Sequence, residues 1–145
     1  MEYEYDVFIS YSHKDYVDKT YLNGKNPITE IEDAFNKNGI SYRLDKGFPT
    51  CCYYDFILEE IKNCRTFVFV SSINSNDSQL KFLEILAARK ANKRIILFRI
   101  DDSNCKIPLE FFASPINYVD NPNMALEQLL QVIKVELQGN PQKQS

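Results

Sequence analysis

The sequence predicts one α/β domain: a flavodoxin-like three-layer sandwich, with a five-stranded parallel sheet in the order 2-1-3-4-5 and helices on both faces. Three observations lead there. Short β-branched and aromatic runs such as Thr66 to Val70 (TFVFV) are apolar throughout, as strands covered on both faces require. Stretches of helical periodicity separate these runs, mostly through short connections, which suits crossover helices between parallel strands. The 145 residues, 44% hydrophobic and 26% charged, are enough for one core of ordinary globular composition. The domain is placed at 1–138, with 139–145 as a polar tail or linker.

Taken in order, Tyr5 to Tyr11 (YDVFISY) reads as the first buried strand, ended by Ser12-His13-Lys14-Asp15. Tyr16 to Lys25 has no clean period and receives no assignment. Asn26 caps a helix with Pro27 at its first position, a favoured arrangement. Ile28, Ile31, Ala34 and Phe35 form its apolar face, and Gly39 closes it at the C′ position. Ile40 to Leu44 is the second strand, followed by Asp45 and a loop from Lys46 to Cys52 punctuated by Gly47 and Pro49. Asp55 to Asn63 is a short helix with Phe56, Ile57 and Ile61, extending to Cys64, facing inward. Thr66 to Val70 is the third strand. The polar run from Ser71 to Ser78 is expected as a loop, and Asp77 or Ser78 caps the helix after it. Leu80, Leu83, Leu86 and Ala87 give that helix its apolar face. Arg94 to Ile100 is the fourth strand, Asp101 to Ser114 an irregular connection with Pro108, and Ile116 to Val119 a short fifth strand at an edge. Asn121 and Pro122 open a last helix whose apolar residues are Met124, Leu126, Leu129, Leu130, Ile133 and Leu137. Gly139 to Ser145 is expected to be disordered, as a linker to a further domain would be.

Composition excludes several classes. Net charge is −3 and no long basic run occurs, so no nucleic-acid partner is expected. Cys51, Cys52, Cys64 and Cys105 show no CxxC or Cys/His ligand spacing, so neither a metal site nor a disulfide frame is expected. The start, Met1-Glu2-Tyr3-Glu4-Tyr5, is too acidic for a signal peptide, and no apolar run approaches a membrane span. A cytoplasmic location follows as the expectation. There is no GxGxxG or P-loop, no acidic cluster of the receiver-domain type, and the single His13 offers no nucleophilic triad.

In this strand order the ligand crevice lies outside the carboxyl ends of strands 1 and 3. Three segments converge there: Ser10 to Asp15, Asp45 to Tyr54, and Ser71 to Glu84. Glu84 sits about two turns into its helix, given 3.6 residues per turn. Its neighbours at three and four residues are Leu80, Lys81, Ala87 and Ala88, so its carboxylate lies at the edge of an apolar stripe. Two readings stand side by side: a functional acid in the crevice, or a surface Glu paired with Lys81. His13 is likewise either a ligand contact or a solvated loop residue. Tyr53 and Tyr54 either stack on a flat ligand or pack inward. Cys51 and Cys52 have only Lys46 and a helix start to make a thiolate.

The residues resemble a TIR (Toll/interleukin-1 receptor) domain of the bacterial type. Tyr5 to Ser12 is similar to that family's opening box, Gly39 to Asp45 to its second strand, and Lys46 to Tyr53 to its BB loop. Phe67 to Ser72 resembles its third strand. Ser78 followed by Glu84 resembles the segment that holds the catalytic Glu of enzymatic members. Arg94 to Phe98 with Ile107-Pro108 resembles the fourth-strand region. The likeness runs from Glu2 to about Leu137.

The resemblance implies cleavage of the nicotinamide–ribose bond of NAD by Glu84, by hydrolysis or by cyclisation to an ADP-ribose signal, with NAD as substrate and no cofactor. It implies an effector role in antiphage immunity, self-association with other TIR domains, and a possible C-terminal sensor domain. Tyr53 matches the BB-loop aromatic near the nicotinamide. Ser12 and His13 match a pair after the first strand that is often basic in relatives. Ser10, Asp45, Ser71, Ser78 and Leu80 complete the expected substrate site, Leu80 standing where many relatives have Trp. Phe48 and Pro49 form the expected self-association patch. A non-enzymatic TIR scaffold and a nucleoside deoxyribosyltransferase-like enzyme are the rival readings.

Adjacent Cys51 and Cys52 in a signal-free acidic chain predict a fully reduced protein. Thiol titration under denaturing, non-reducing conditions should count four free cysteines; a count of two would overturn the expectation.

Overall fold

In the structure, a computed structural model, residues 3–17, 25–45, 53–76, 78–112 and 115–139 are described. Five parallel strands form one sheet in the order β2-β1-β3-β4-β5. They are β1 (Tyr5–Ser10), β2 (Tyr42–Leu44), β3 (Cys64–Ser71), β4 (Ile95–Arg99) and β5 (Ile116–Asn117). The helices are α1 (His13–Val17), α2 (Pro27–Lys37), α3 (Tyr53–Lys62), α4 (Ile73–Asn76), α5 (Gln79–Lys90) and α6 (Pro122–Gly139). The predicted class and strand order are those observed.

Alternation along the strands divides the core in two. Val7 and Ile9 of β1, Val68 and Val70 of β3, and Ile96 and Phe98 of β4 face α2 and α6, meeting Ile28, Ile31, Phe35, Leu129 and Ile133. Phe8, Phe67, Phe69, Ile95 and Leu97 face the other way, against Ile57 and Ile61 of α3 and Ile85, Ala87 and Ala88 of α5. Phe8 pairs with Phe67 in the ladder, and their rings stack at 5.5 Å. The central strands are therefore apolar on both sides, which is why they lack a polar alternation.

Several boundaries differ from the sequence reading. Ser12 to Asp15 does not merely end the first strand: α1 begins at His13. The polar run after β3 folds into α4 instead of remaining loop, because Ser75 Oγ donates to Val70 O at 2.7 Å and accepts from Ser72 N at 2.8 Å. The third strand starts two residues earlier than predicted, at Cys64, and the second starts later, at Tyr42. The fifth strand is only Ile116–Asn117. Phe56, expected inward, is 41% exposed, and Met124, counted among the apolar residues of the last helix, is 54% exposed. One residue along a helix turns the side chain by about 100°, so with Ile57 and Ala125 on the sheet their predecessors point away. Gly139, predicted as tail, belongs to α6. The loop from Lys46 to Cys52, with Phe48 and Pro49, lies outside the described residues, as do Asp77 and residues 140–145.

Two Asn-Pro pairs open α2 and α6, as predicted. Asn26 Oδ1 accepts from Ile28 N at 2.9 Å and Thr29 N at 3.2 Å. Its amide also donates to Asp15 O at 2.6 Å and Tyr16 O at 2.9 Å, tying α1 to α2. Asn121 is exposed and accepts from Met124 N at 3.2 Å. Gly39 follows α2 with φ +67°, the left-handed conformation that favours glycine at C′. Asn26→Ala should cost about 2–3 kcal/mol, a cap plus two inter-helix bonds, and Asn121→Ala about 1 kcal/mol. Urea midpoints of the two variants check the order; equal losses would show that the Asn26 amide adds nothing.

Candidate active site

The site follows from strand parity. Ser10 is two residues beyond Phe8, so its side chain emerges on the face covered by α3 and α5. Asp45, one residue beyond Leu44 on the α2/α6 face, turns to that same side; its N–H still donates to Ile9 O at 3.1 Å. The α5 helix is capped by Ser78, whose Oγ accepts from Lys81 N, and lies down on Phe69 and Leu97 through Ile85, Ala87 and Ala88. Two alanines let its backbone approach the sheet. Glu84, one residue from Ile85 and a turn before Ala87 and Ala88, is thereby carried under the helix at the carboxyl ends of β1 and β2.

Glu84 is wholly buried. Its Oε1 accepts from Ser10 Oγ at 2.6 Å, and its Oε2 lies 3.4 Å from Lys81 Nζ. The same ammonium is ion-paired with Asp45 Oδ2, and Asp45 is itself buried. His13 Nε2 is 2.9 Å from Asp45 O, closing α1 over the end of β2. Burial drives the Glu84 carboxyl up to about 8; a hydrogen bond that the protonated Glu84 donates to the neighbouring Asp45 carboxylate, and that carboxylate's charge, add to the rise, while Lys81 and the Ser10 hydroxyl oppose it. A carboxyl held so far above the usual range, in the crevice of an open α/β sheet, has the marks of a functional group.

The surface-Glu reading is thus set aside: Lys81 is a partner, but within a buried cluster. The expected apolar face of α5 also needs correction. Leu80 is 52% exposed, Leu83 and Leu86 are half-buried, and Ile85, Ala87 and Ala88 do the packing. Apolar residues surround most of this helix, so spacing alone could not select the buried side.

Of the predicted site residues, Ser10, His13, Asp45 and Glu84 are brought together. Ser12, half-buried, accepts from Lys14 N at 3.3 Å. Tyr53 is the first residue of α3. Ser71 donates to Asn76 at 3.0 Å and stands in the neighbouring β3–α4 network. Ser78, not Asp77, caps α5. Leu80 is on the exposed side of α5, and Phe48 and Pro49 are outside the described residues.

Sequence reasoning missed Asp15. It is buried, accepting from Ser72 Oγ at 2.5 Å and Asn74 Nδ2 at 2.9 Å, and so fastens α1 to α4 across the ends of β1 and β3. The available signal was two polar runs following neighbouring strands. A cleft of about 320 Å³ lies on the far side of α5, lined by Phe69, Asn76, Ser78, Phe82, Ile85 and Cys105 among others; it meets the Glu84 cluster only through Lys81. Among the described residues no group of acidic, His and Cys side chains could hold a metal, and no helix is long and apolar enough to cross a membrane.

Comparison with known proteins places these features in context. The family model described as TIR domain matches residues 7–131. The TIR domain of the Toll-related receptor TRR-2 from Hydra magnipapillata superposes with a TM-score of 0.67 at 17% identity, over 90% of this chain and 98% of that one. The TIR domains of the activated Roq1 resistosome give 0.60 at 15% identity, over 90% and 99%. The CMP N-glycosidase BcmB from Clostridium botulinum gives 0.57 at 16% identity, over 86% and 98%. Comparison with curated proteins yields no match.

The raised Glu84 carboxyl carries a stability signature. Between the ordinary carboxyl range and about 8, the folded chain holds a proton that the unfolded chain releases, so the Glu84 contribution weakens as pH rises through that window. Melting temperature of wild type relative to Glu84→Gln should therefore fall by a few degrees from pH 5 to pH 8.5. A difference that is flat or rises with pH would show that Glu84 is ionised throughout.

Proposed function

The chain belongs to the TIR domain family, and from that membership together with its buried acid we propose that it cleaves the nicotinamide–ribose bond of NAD, with Glu84 as the catalytic residue. The observation that carries this reading is a fully buried carboxyl at the ends of β1 and β2, held by Ser10 and by the Lys81–Asp45 pair. One fold neighbour is named a CMP N-glycosidase, so the bond class has a precedent in this architecture.

The chemistry needs little else. When the bond breaks, its electron pair goes to the pyridinium nitrogen, and nicotinamide leaves neutral without an acid. The ribosyl carbon takes on oxocarbenium character. An ionised Glu84 stabilises that charge where water screens poorly. Capture by water, with loss of a proton, gives ADP-ribose; capture by a nucleophile of the same molecule gives a cyclic product. Ser10 orients the carboxyl through Oε1. NAD is the substrate and no cofactor is required. The proposed setting is an effector of bacterial antiphage immunity, activated when TIR domains cluster through the 46–52 segment that contains Phe48 and Pro49.

Incubating concentrated protein with NAD and, separately, with deoxynucleosides discriminates the rivals. Nicotinamide release supports this reading, base release from deoxynucleosides supports a deoxyribosyltransferase-like enzyme, and neither supports a scaffold. Glu84→Gln should lower nicotinamide release by at least roughly a hundredfold, the scale of one lost electrostatic stabiliser. Since only the charged carboxyl serves, kcat/KM should climb with pH through about 8. Full activity in Glu84→Gln, beside an active wild type, would eliminate the mechanism.

A further inference from the structure

The cleft on the far side of α5 takes no part in the chemistry above. Its floor is Phe69 of β3 and Ile85 of α5, both inside the core. One wall is Phe82, a turn earlier on α5 than Ile85, and a second is Cys105 and Ile107 in the connection after β4. Asn76, also on the lining, donates to Ser103 Oγ at 2.9 Å and ties the end of α4 to that connection.

Two features make this more than a gap in the packing. The first is size. An apolar cavity of roughly 150 Å³ holds one benzene ring. The cleft, at about 320 Å³, therefore admits two fused rings and lies within the range of small-molecule sites. The second is Phe82, which is 46% exposed although it stands beside an apolar floor. A flat ring laid against it would take its face out of water.

The polar part of the lining asks little of a ligand. Ser75 Oγ donates to Val70 O, and Asn76 Oδ1 accepts from Ser71 Oγ. Ser78 Oγ caps α5, the Lys81 ammonium is ion-paired with Asp45, and Lys106 is engaged too. These groups find partners within the protein, so apolar area is what the cleft has to offer. A charged molecule would give up hydration there with little in return.

We propose that the cleft between α5 and the 105–107 segment binds a neutral, flat molecule of two fused rings, at a site separate from the Glu84 cluster. The helix itself makes the separation. Glu84 and Ile85 are adjacent, and side chains one residue apart diverge by about 100°. One serves the Ser10 side and the other the cleft. The proposal does not depend on the NAD reading.

Indole is the probe, titrated into the full chain with labelled isoleucine methyl groups and followed by NMR. Ile85→Val and Ile107→Val identify the two cleft signals. Those signals should shift and saturate with a Kd of about 1 mM or tighter, while Ile28 and Ile133 on the opposite face of the sheet stay in place. Cys105→Trp fills the cleft and should abolish the shifts. Phe82→Ala removes a solvent-facing wall and should weaken binding by about fivefold or more. Glu84→Gln should bind indole with the wild-type Kd. Shifts that fail to saturate, or that spread equally to Ile28 and Ile133, overturn the proposal. So does unchanged binding in Cys105→Trp, or loss of binding in Glu84→Gln, which would assign indole to the Glu84 crevice. If Cys105→Trp does not fold, Phe82→Ala decides alone, and a wild-type Kd there overturns it. Tighter binding of N-acetyltryptophanamide than of indole would make the cleft a socket for a partner's side chain and overturn the reading of a free ligand.

Discussion

A carboxyl group with no access to water must be neutral, paired, or both, and the structure around Glu84 meets that demand. Each device around it is a response to the same desolvation cost. Ser10 supplies a hydroxyl at 2.6 Å, possible because strand parity sends that side chain to the α5 face. Lys81 supplies a cation from one turn earlier on the same helix, and Asp45 holds that cation in place. An apolar residue at 84 would suit the packing of Ile85, Ala87 and Ala88 equally well, so the acid is carried at a cost to the fold.

The surrounding polar network has a different character. Asp15, Ser72, Asn74 and Ser75 are satisfied by one another and by the backbone of β3. This network joins α1 and α4 to the carboxyl ends of β1 and β3, where the chain would otherwise splay into separate loops. It gives the crevice a rigid rim beside a cluster whose charge state can change. The cost of burying polar groups is met in both places, in one by full hydrogen bonding and in the other by partial protonation.

The fold was legible because its signals are redundant. Apolar runs in β1, β3 and β4, the Asn-Pro caps at residues 26 and 121, and Gly39 each specify a local structure that agrees with the doubly wound plan. Glu84 was legible as a position but not as an environment. Counting placed it beside Leu80, Lys81, Ala87 and Ala88, and could not tell which of these faced the sheet. The leucines have the greater hydrophobicity, yet the alanines are buried, since a helix packs closest where its side chains are smallest. Asp15 was illegible because its partners lie nearly sixty positions away, and nothing in the local pattern of either segment announces the other. The short α4 was hidden by residues whose side chains bond to backbone in loops and in single turns alike.

The separation of those partners along the chain bears on how the protein reaches its native state. The Ser10–Glu84 bond spans 74 positions, and the β1–β3 pairing that makes it possible encloses all of α2, β2 and α3. Closing a loop of that length costs entropy before any contact repays it. Of the three groups that hold Glu84, only Lys81 lies in the same local segment as the acid. The acid therefore remains an ordinary solvated glutamate in every partly folded chain whose central strands have not met. Its abnormal titration comes into being together with the centre of the sheet, so this one proton reports, along the folding pathway, when the long-range topology is complete.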